Sequence, residues 1–118
     1  MKDCTIYKTL SIIGKKWTLL ILLELYKGDN ETKHFNELKK KVSGITPKVL
    51  TIRLKELEED GIVNKRVDDS VIPVRCQYSL TDSGRELIEV VHDIKMWGLK
   101  WKFENEECLN TRCKHCIL

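Results

Sequence analysis

The segment from Phe35 to Leu80 constrains the fold more than any other part of the chain. Thr46-Pro47 sets a capping hydroxyl before a proline, whose missing N–H costs nothing at the first position of a helix. Leu50, Leu54 and Leu57 follow. At about 100° per residue they fall within roughly 60° of one another, so they share the buried face of a helix that Gly61 stops. Upstream, Phe35, Leu38 and Val42 mark a short helix, and Ser43-Gly44-Ile45 is too tight a connection to be anything but a turn. Downstream, Ile62–Val67 and Cys76–Leu80 read as two strands joined through Asp68-Asp69-Ser70 and a segment holding Pro73.

The flanks complete the pattern. Ile6, Leu10, Ile13 and Trp17 form one face of an amphipathic helix, which Gly14-Lys15-Lys16 interrupts or bends before the denser apolar run Trp17–Tyr26. That second run is expected to be the central buried helix, closed by Gly28-Asp29-Asn30. Thr81 caps a last helix with Leu87, Val90, Val91, Ile94, Trp97 and Trp101 on one stripe. The order is that of a winged helix-turn-helix, a mainly α fold with a two-stranded β wing. Residues 1–103 are expected to form this domain and 104–118 a cysteine-rich tail. The apolar stripe on the last helix exceeds what so small a core can cover, which points to a homodimer built from the first and last helices.

Charge indicates the partner. Between Lys33 and Lys55 stand seven basic residues against the single acid Glu37, although the whole chain carries only +3. Such a concentration is the footprint of phosphate contacts, and equally of a solvated helix face. Lys48, Thr51, Ile52 and Lys55 lie opposite the leucine face, with Arg53 near the boundary. With Thr46 and Pro47 they form the candidate surface for the major groove of double-stranded DNA. Ile52 suits a thymine methyl group; as a plain alternative it is one exposed aliphatic side chain. Lys39, Lys40, Lys65, Arg66 and Arg75 are the candidate phosphate clamps.

Other classes find less support. The longest apolar run, Leu19–Leu23, is too short to span a bilayer, and Met1-Lys2-Asp3-Cys4-Thr5 does not begin a secretory signal, so a cytoplasmic protein without a membrane partner is expected. No Ser/His/Asp set, phosphate-binding loop or paired carboxylates stand out, and His34 and His92 lack partners at useful spacing, so no catalytic residue is assigned. Five cysteines suit thiols, metal ligands or redox switches better than a secreted disulfide framework. Cys76, in a strand, reads as a small apolar residue. Cys108, Cys113 and Cys116 have the ligand type and C-x-x-C spacing of a zinc site, or with less support an iron–sulfur cluster, but His115 adjoins Cys116 too closely to serve the same ion. Cys113-Lys114-His115-Cys116 also resembles the redox pair of thiol oxidoreductases, giving a thiol–disulfide redox protein as the alternative function. A frayed tail of inert thiols is the third reading.

Several fragments together resemble one family. Ile13-Gly14-Lys15-Lys16-Trp17 resembles I-G-G-K-W, and His34-Phe35-Asn36-Glu37-Leu38 resembles R-F-N-E-L. Gly44-Ile45-Thr46 through Leu57-Glu58 is similar to G-I-S-x-x-x-L-T-x-x-L-R-E-L-E, and Pro73–Thr81 to P-P-R-V-E-Y-S-L-T. Ser83-Gly84-Arg85-Glu86-Leu87 and Trp97-Gly98 complete the set, and Cys4 stands thirteen residues before Trp17. In this order they resemble the HxlR family of winged helix-turn-helix transcriptional regulators, relatives of the MarR group. The resemblance implies a homodimer with one recognition helix per major groove, acting on a pseudo-palindromic operator. It also implies that Cys4 can sense oxidants or electrophiles. The tail after about Phe103 falls outside the resemblance.

Overall fold

A computed structural model describes residues 1–117 of the chain. Helix α1 (Thr5–Ile13) buries only Ile13, and α2 (Thr18–Tyr26) buries Thr18, Ile21, Leu22 and Leu25. Of the interruption or bend expected at Gly14-Lys15-Lys16, the structure has the interruption. The apolar repeat that ran on to Trp17 ends at Ile13, because Trp17 takes a left-handed φ of 82° and begins α2 instead. Its carbonyl accepts the first bond of that helix from Ile21 N–H, at 2.9 Å. The far end of α2 is held by Lys33, whose ammonium donates to Lys27 O at 2.8 Å and also to Asn30 O. A cation there satisfies carbonyls left over at the helix end and opposes its dipole. Burial holds the Lys33 pKa below the ordinary lysine value.

Strand β1 (Lys33–His34) runs without a gap into α3 (Phe35–Lys41); a turn leads to α4 (Pro47–Glu59), and β2 (Val63–Asp68) and β3 (Arg75–Leu80) make the hairpin. The sheet order is β1-β3-β2, antiparallel throughout, with Lys33 opposite Tyr78 and Lys65 on Tyr78's other side. The third strand was not expected from the sequence. Two residues are too few to show the alternation that marks a strand. Leu50, Leu54 and Leu57 of α4 are buried with Ile21, Leu22, Leu25, Leu38, Val63 and Leu80 in one core, each such side chain contributing about 1.5–3 kcal/mol. Cys76 is half-buried against it, as a small apolar residue would be.

Helix α5 (Asp82–Trp101) starts at Thr81, whose hydroxyl accepts from Gly84 N–H at 3.2 Å and donates to Gly61 O at 2.7 Å. Gly84 sits so near the start of the hairpin that a Cβ there would lie 2.4 Å from Ile62 O. Beyond α5 the described residues form two further elements. Asn105 caps a short helix α6 (Glu106–Asn110), and Cys113–His115 form a 3-10 turn. The tail is tied back at both sides. Lys95 Nζ donates to Thr111 O at 2.9 Å, and Gly28 N–H donates to Lys114 O at 2.6 Å.

Candidate nucleic-acid interface

The α3–α4 pair is set by its turn. Gly44 has a φ of 89°, open to glycine and strained for other residues, and the Trp17 indole packs over it. Thr46 Oγ1 then accepts from Val49 N–H at 3.2 Å and Pro47 opens α4, as the sequence indicates. The leucine side of α4 being buried, Lys48, Thr51, Ile52 and Lys55 are left exposed together on the other, Ile52 at 42%. Thr46 and Pro47 are exposed at its start. Thr51 Oγ1 donates to Pro47 O at 2.9 Å, which leaves its lone pairs outward as acceptors.

Arg53 is placed differently from the rest of this set. Its Nε donates to Lys16 O at 3.1 Å and its Nη1 to Glu56 Oε1 at 3.0 Å. Glu56 also receives Lys15, and that lysine, then Arg53, holds its carboxyl below the usual range despite partial desolvation. Arg53 therefore fastens α4 to the α1–α2 break, a role that its boundary position on the helix projection did not reveal. The candidate phosphate clamps are exposed: Lys39 and Lys40 in the last turn of α3, Lys65 and Arg66 on β2, and Arg75 at the start of β3, opposite Asp68. Around the hairpin tip, Asp68 accepts from both the hydroxyl and the N–H of Ser70, and these bonds hold its carboxyl below the usual range. Recognition helix, α3 lysines and ribbon thus offer the groove-and-backbone pattern of a winged helix-turn-helix. His34, which ends β1, gives its backbone N–H to Glu37 Oε1 at 3.1 Å, while its buried Nδ1 has no hydrogen-bond partner among the described residues.

The cysteines are dispersed except in the tail. Cys4 precedes α1, whereas Cys108, Cys113 and Cys116 line one cavity of about 420 Å³ between the tail, α2 and α5. Among the described residues no three His, Cys, Asp or Glu side chains are gathered to hold a metal ion. His115 is exposed. None of the described helices is long and apolar enough to cross a membrane.

A winged helix-turn-helix of this order defines a class of DNA-binding transcriptional regulators, and comparison with known proteins narrows it. Residues 12–106 match the HxlR-like helix-turn-helix family, and the chain belongs to that family. It is 42% identical over 101 residues to YdeP of Bacillus subtilis (strain 168), described as an uncharacterized HTH-type transcriptional regulator, covering 86% of this chain and 76% of that protein. The reduced form of the transcriptional regulator YodB from B. subtilis superposes with a TM-score of 0.71 at 32% identity, over 86% of this chain and 97% of the other. The redox regulator HypR in its oxidized form superposes with a TM-score of 0.73 at 36% identity, over 85% and 99%. The chain is thus a transcriptional regulator of the HxlR/MarR type. The relatives and the fold are those of regulators rather than enzymes, so the thiol–disulfide oxidoreductase alternative is set aside. The match ends at residue 106, where α6 begins.

Proposed function

We propose that this protein is a cytoplasmic homodimer that binds a pseudo-palindromic double-stranded operator sequence-specifically and responds to oxidants through its cysteines. One observation carries the reading: Lys48, Thr51, Ile52 and Lys55 stand exposed on one face of α4 while its leucines are buried. Lys48, Thr51 and Lys55 supply donors and acceptors for base edges, Ile52 an apolar contact, and Thr46 and Pro47 position the helix start. Lys39, Lys40, Lys65 and Arg75 neutralise phosphates, and Arg53 keeps α4 at a fixed angle.

Dimerisation is supported by apolar surface that one subunit leaves uncovered. Ile6 is 69%, Trp97 58% and Trp101 64% exposed, on the two helices that flank the DNA-binding core. A two-fold pairing of those helices would cover them and set two recognition helices about 34–36 Å apart, one helical turn of DNA. Redox response is supported by two relatives named for it or solved in a reduced form, with Cys4, Cys113 and Cys116 as the thiols concerned.

The test is fluorescence titration against duplexes selected by the protein from random DNA. Combined Lys48→Ala, Thr51→Ala and Lys55→Ala should abolish discrimination between selected and unrelated duplexes. Undiminished discrimination would exclude this face of α4 as the reader.

A further inference from the structure

The tail lies mostly outside the family match, yet its thiols are built into the fold. Cys116 N–H donates to Cys113 O at 3.2 Å, closing the 3-10 turn. A hydrogen-bonded turn of this kind keeps its end Cα atoms within about 7 Å, and a disulfide spans about 4.4–6.8 Å. Both residues are half-buried and line the same cavity with Cys108, while Cys4 does not line it and Cys76 lies away in β3.

Between the two cysteines sits the tail's main anchor. Lys114 accepts from Gly28 N–H at 2.6 Å, and its Nζ donates to Tyr26 O at 2.9 Å, lies 4.8 Å from the Tyr26 ring centre and is 3.5 Å from Glu31. Tyr26 ends α2, and the loop after it feeds β1, which runs straight into α3. The backbone of one short turn is therefore shared by the thiol pair and by the clamp on the loop leading to the DNA-binding helices.

We propose that Cys113 and Cys116 are an intrachain dithiol pair whose closure to a disulfide resets the Lys114 clamp and so alters DNA affinity. The regulatory half rests on the DNA-binding reading above; the chemical half does not. The oxidant is a hydroperoxide. Its O–O bond breaks, one oxygen leaving as water and the other as an alcohol, or as a second water when the oxidant is hydrogen peroxide. The two thiols supply both protons and both electrons as the S–S bond forms. Closing the ring changes the torsions of Lys114 and His115, which lie inside it.

The experiment uses the full chain, reduced, then treated with hydrogen peroxide and digested with trypsin. Cleavage after Lys114 separates the two cysteines, so their peptides stay joined only through the disulfide. Joined Cys113 and Cys116 peptides are expected, from protein that shows no interchain link, in wild type and in Cys4→Ser alike, and none from Cys116→Ser. Affinity for the duplex selected by the reduced protein should change by roughly 5-fold or more on oxidation. Lys114→Ala loses that cleavage site, so its bond is read as the loss of two hydrogens from the single peptide that holds both cysteines; it should form with little change in affinity. A bond from Cys113 to Cys4 or Cys108, or none, overturns the pair. A Cys113–Cys116 bond with wild-type affinity unmoved overturns the coupling. Lack of salt-dependent duplex binding by the reduced protein defeats the DNA reading instead, and the joined peptides then still decide the pair.

Discussion

The Trp17 indole lies where Gly44 has no side chain: a Cβ on Gly44 would meet Trp17 Cη2 at 3.3 Å. Both residues hold left-handed backbone, at φ 82° and 89°. The break between α1 and α2 thus packs directly on the turn between α3 and α4, and the same break anchors α4 through Lys16 O and Arg53. The orientation of the recognition helix is set from outside the helix-turn-helix as much as from within it.

Gly44→Ala should therefore lower stability by about 1–2 kcal/mol, through left-handed strain and the crowded indole. Gly84→Ala should cost roughly 1–3 kcal/mol, since α5 must move off Ile62 O to admit a methyl group. Urea unfolding monitored by tryptophan fluorescence measures both. A neutral Gly84→Ala would mean that α5 is free to slide along the hairpin.

Contacts to phosphate and to bases should separate in salt titrations. Lys40→Ala is expected to weaken every duplex alike and to flatten the slope of log affinity against log salt by about one unit. Lys48→Ala should change the preferred sequence. Arg53→Ala should reduce affinity together with thermal stability, because its guanidinium is spent on Lys16 O and Glu56.

Subunit association should fail when the exposed stripe of α5 receives a charge. Trp97→Asp would bury a carboxylate in the proposed two-fold interface, and light scattering should show monomer or lost solubility. A Trp97→Asp protein of dimer mass would place the interface elsewhere.

Tyr78 gives a pH dependence. Burial in the core, with Cys76 and Glu58 adding to it, pushes its phenol up to about 12 from the ordinary 10. The native state then keeps a proton that the unfolded chain releases, so its contribution is complete below pH 10 and is lost as pH rises toward about 12. Tyr78→Phe should flatten the decline in unfolding free energy across that window, measured by urea titration at a series of alkaline pH values.

The parts of the fold legible in the sequence are those with a local cause. Thr46-Pro47, three leucines at helical spacing and Gly61 define α4 without help from elsewhere, and the exposed set Lys48, Thr51, Ile52 and Lys55 follows from helix geometry alone. What depended on distant partners was not legible. Strand β1 exists because Tyr78 and Gln77 pair with it, and Arg53 turns inward because Lys16 O lies within reach. The tail is ordered by Lys114 and Lys95, whose acceptors Tyr26 O and Thr111 O are backbone atoms that no side-chain pattern announces.

His34 closes β1 and Phe35 opens α3, with no residue of slack between them. Because Lys33 and Lys65 flank Tyr78 from opposite sides, the ribbon and the lysine-bearing helix are ruled off the same rung of the sheet. On the proposed DNA-binding reading they would act as the two jaws of a caliper whose gap is set by strand spacing. On that reading, a duplex whose backbone does not fit the gap would not be accommodated by trading one jaw's grip for the other's. Inserting a single residue after His34 would rotate α3 by about 100° relative to the ribbon, turning the lysine face away while leaving every basic residue in the chain.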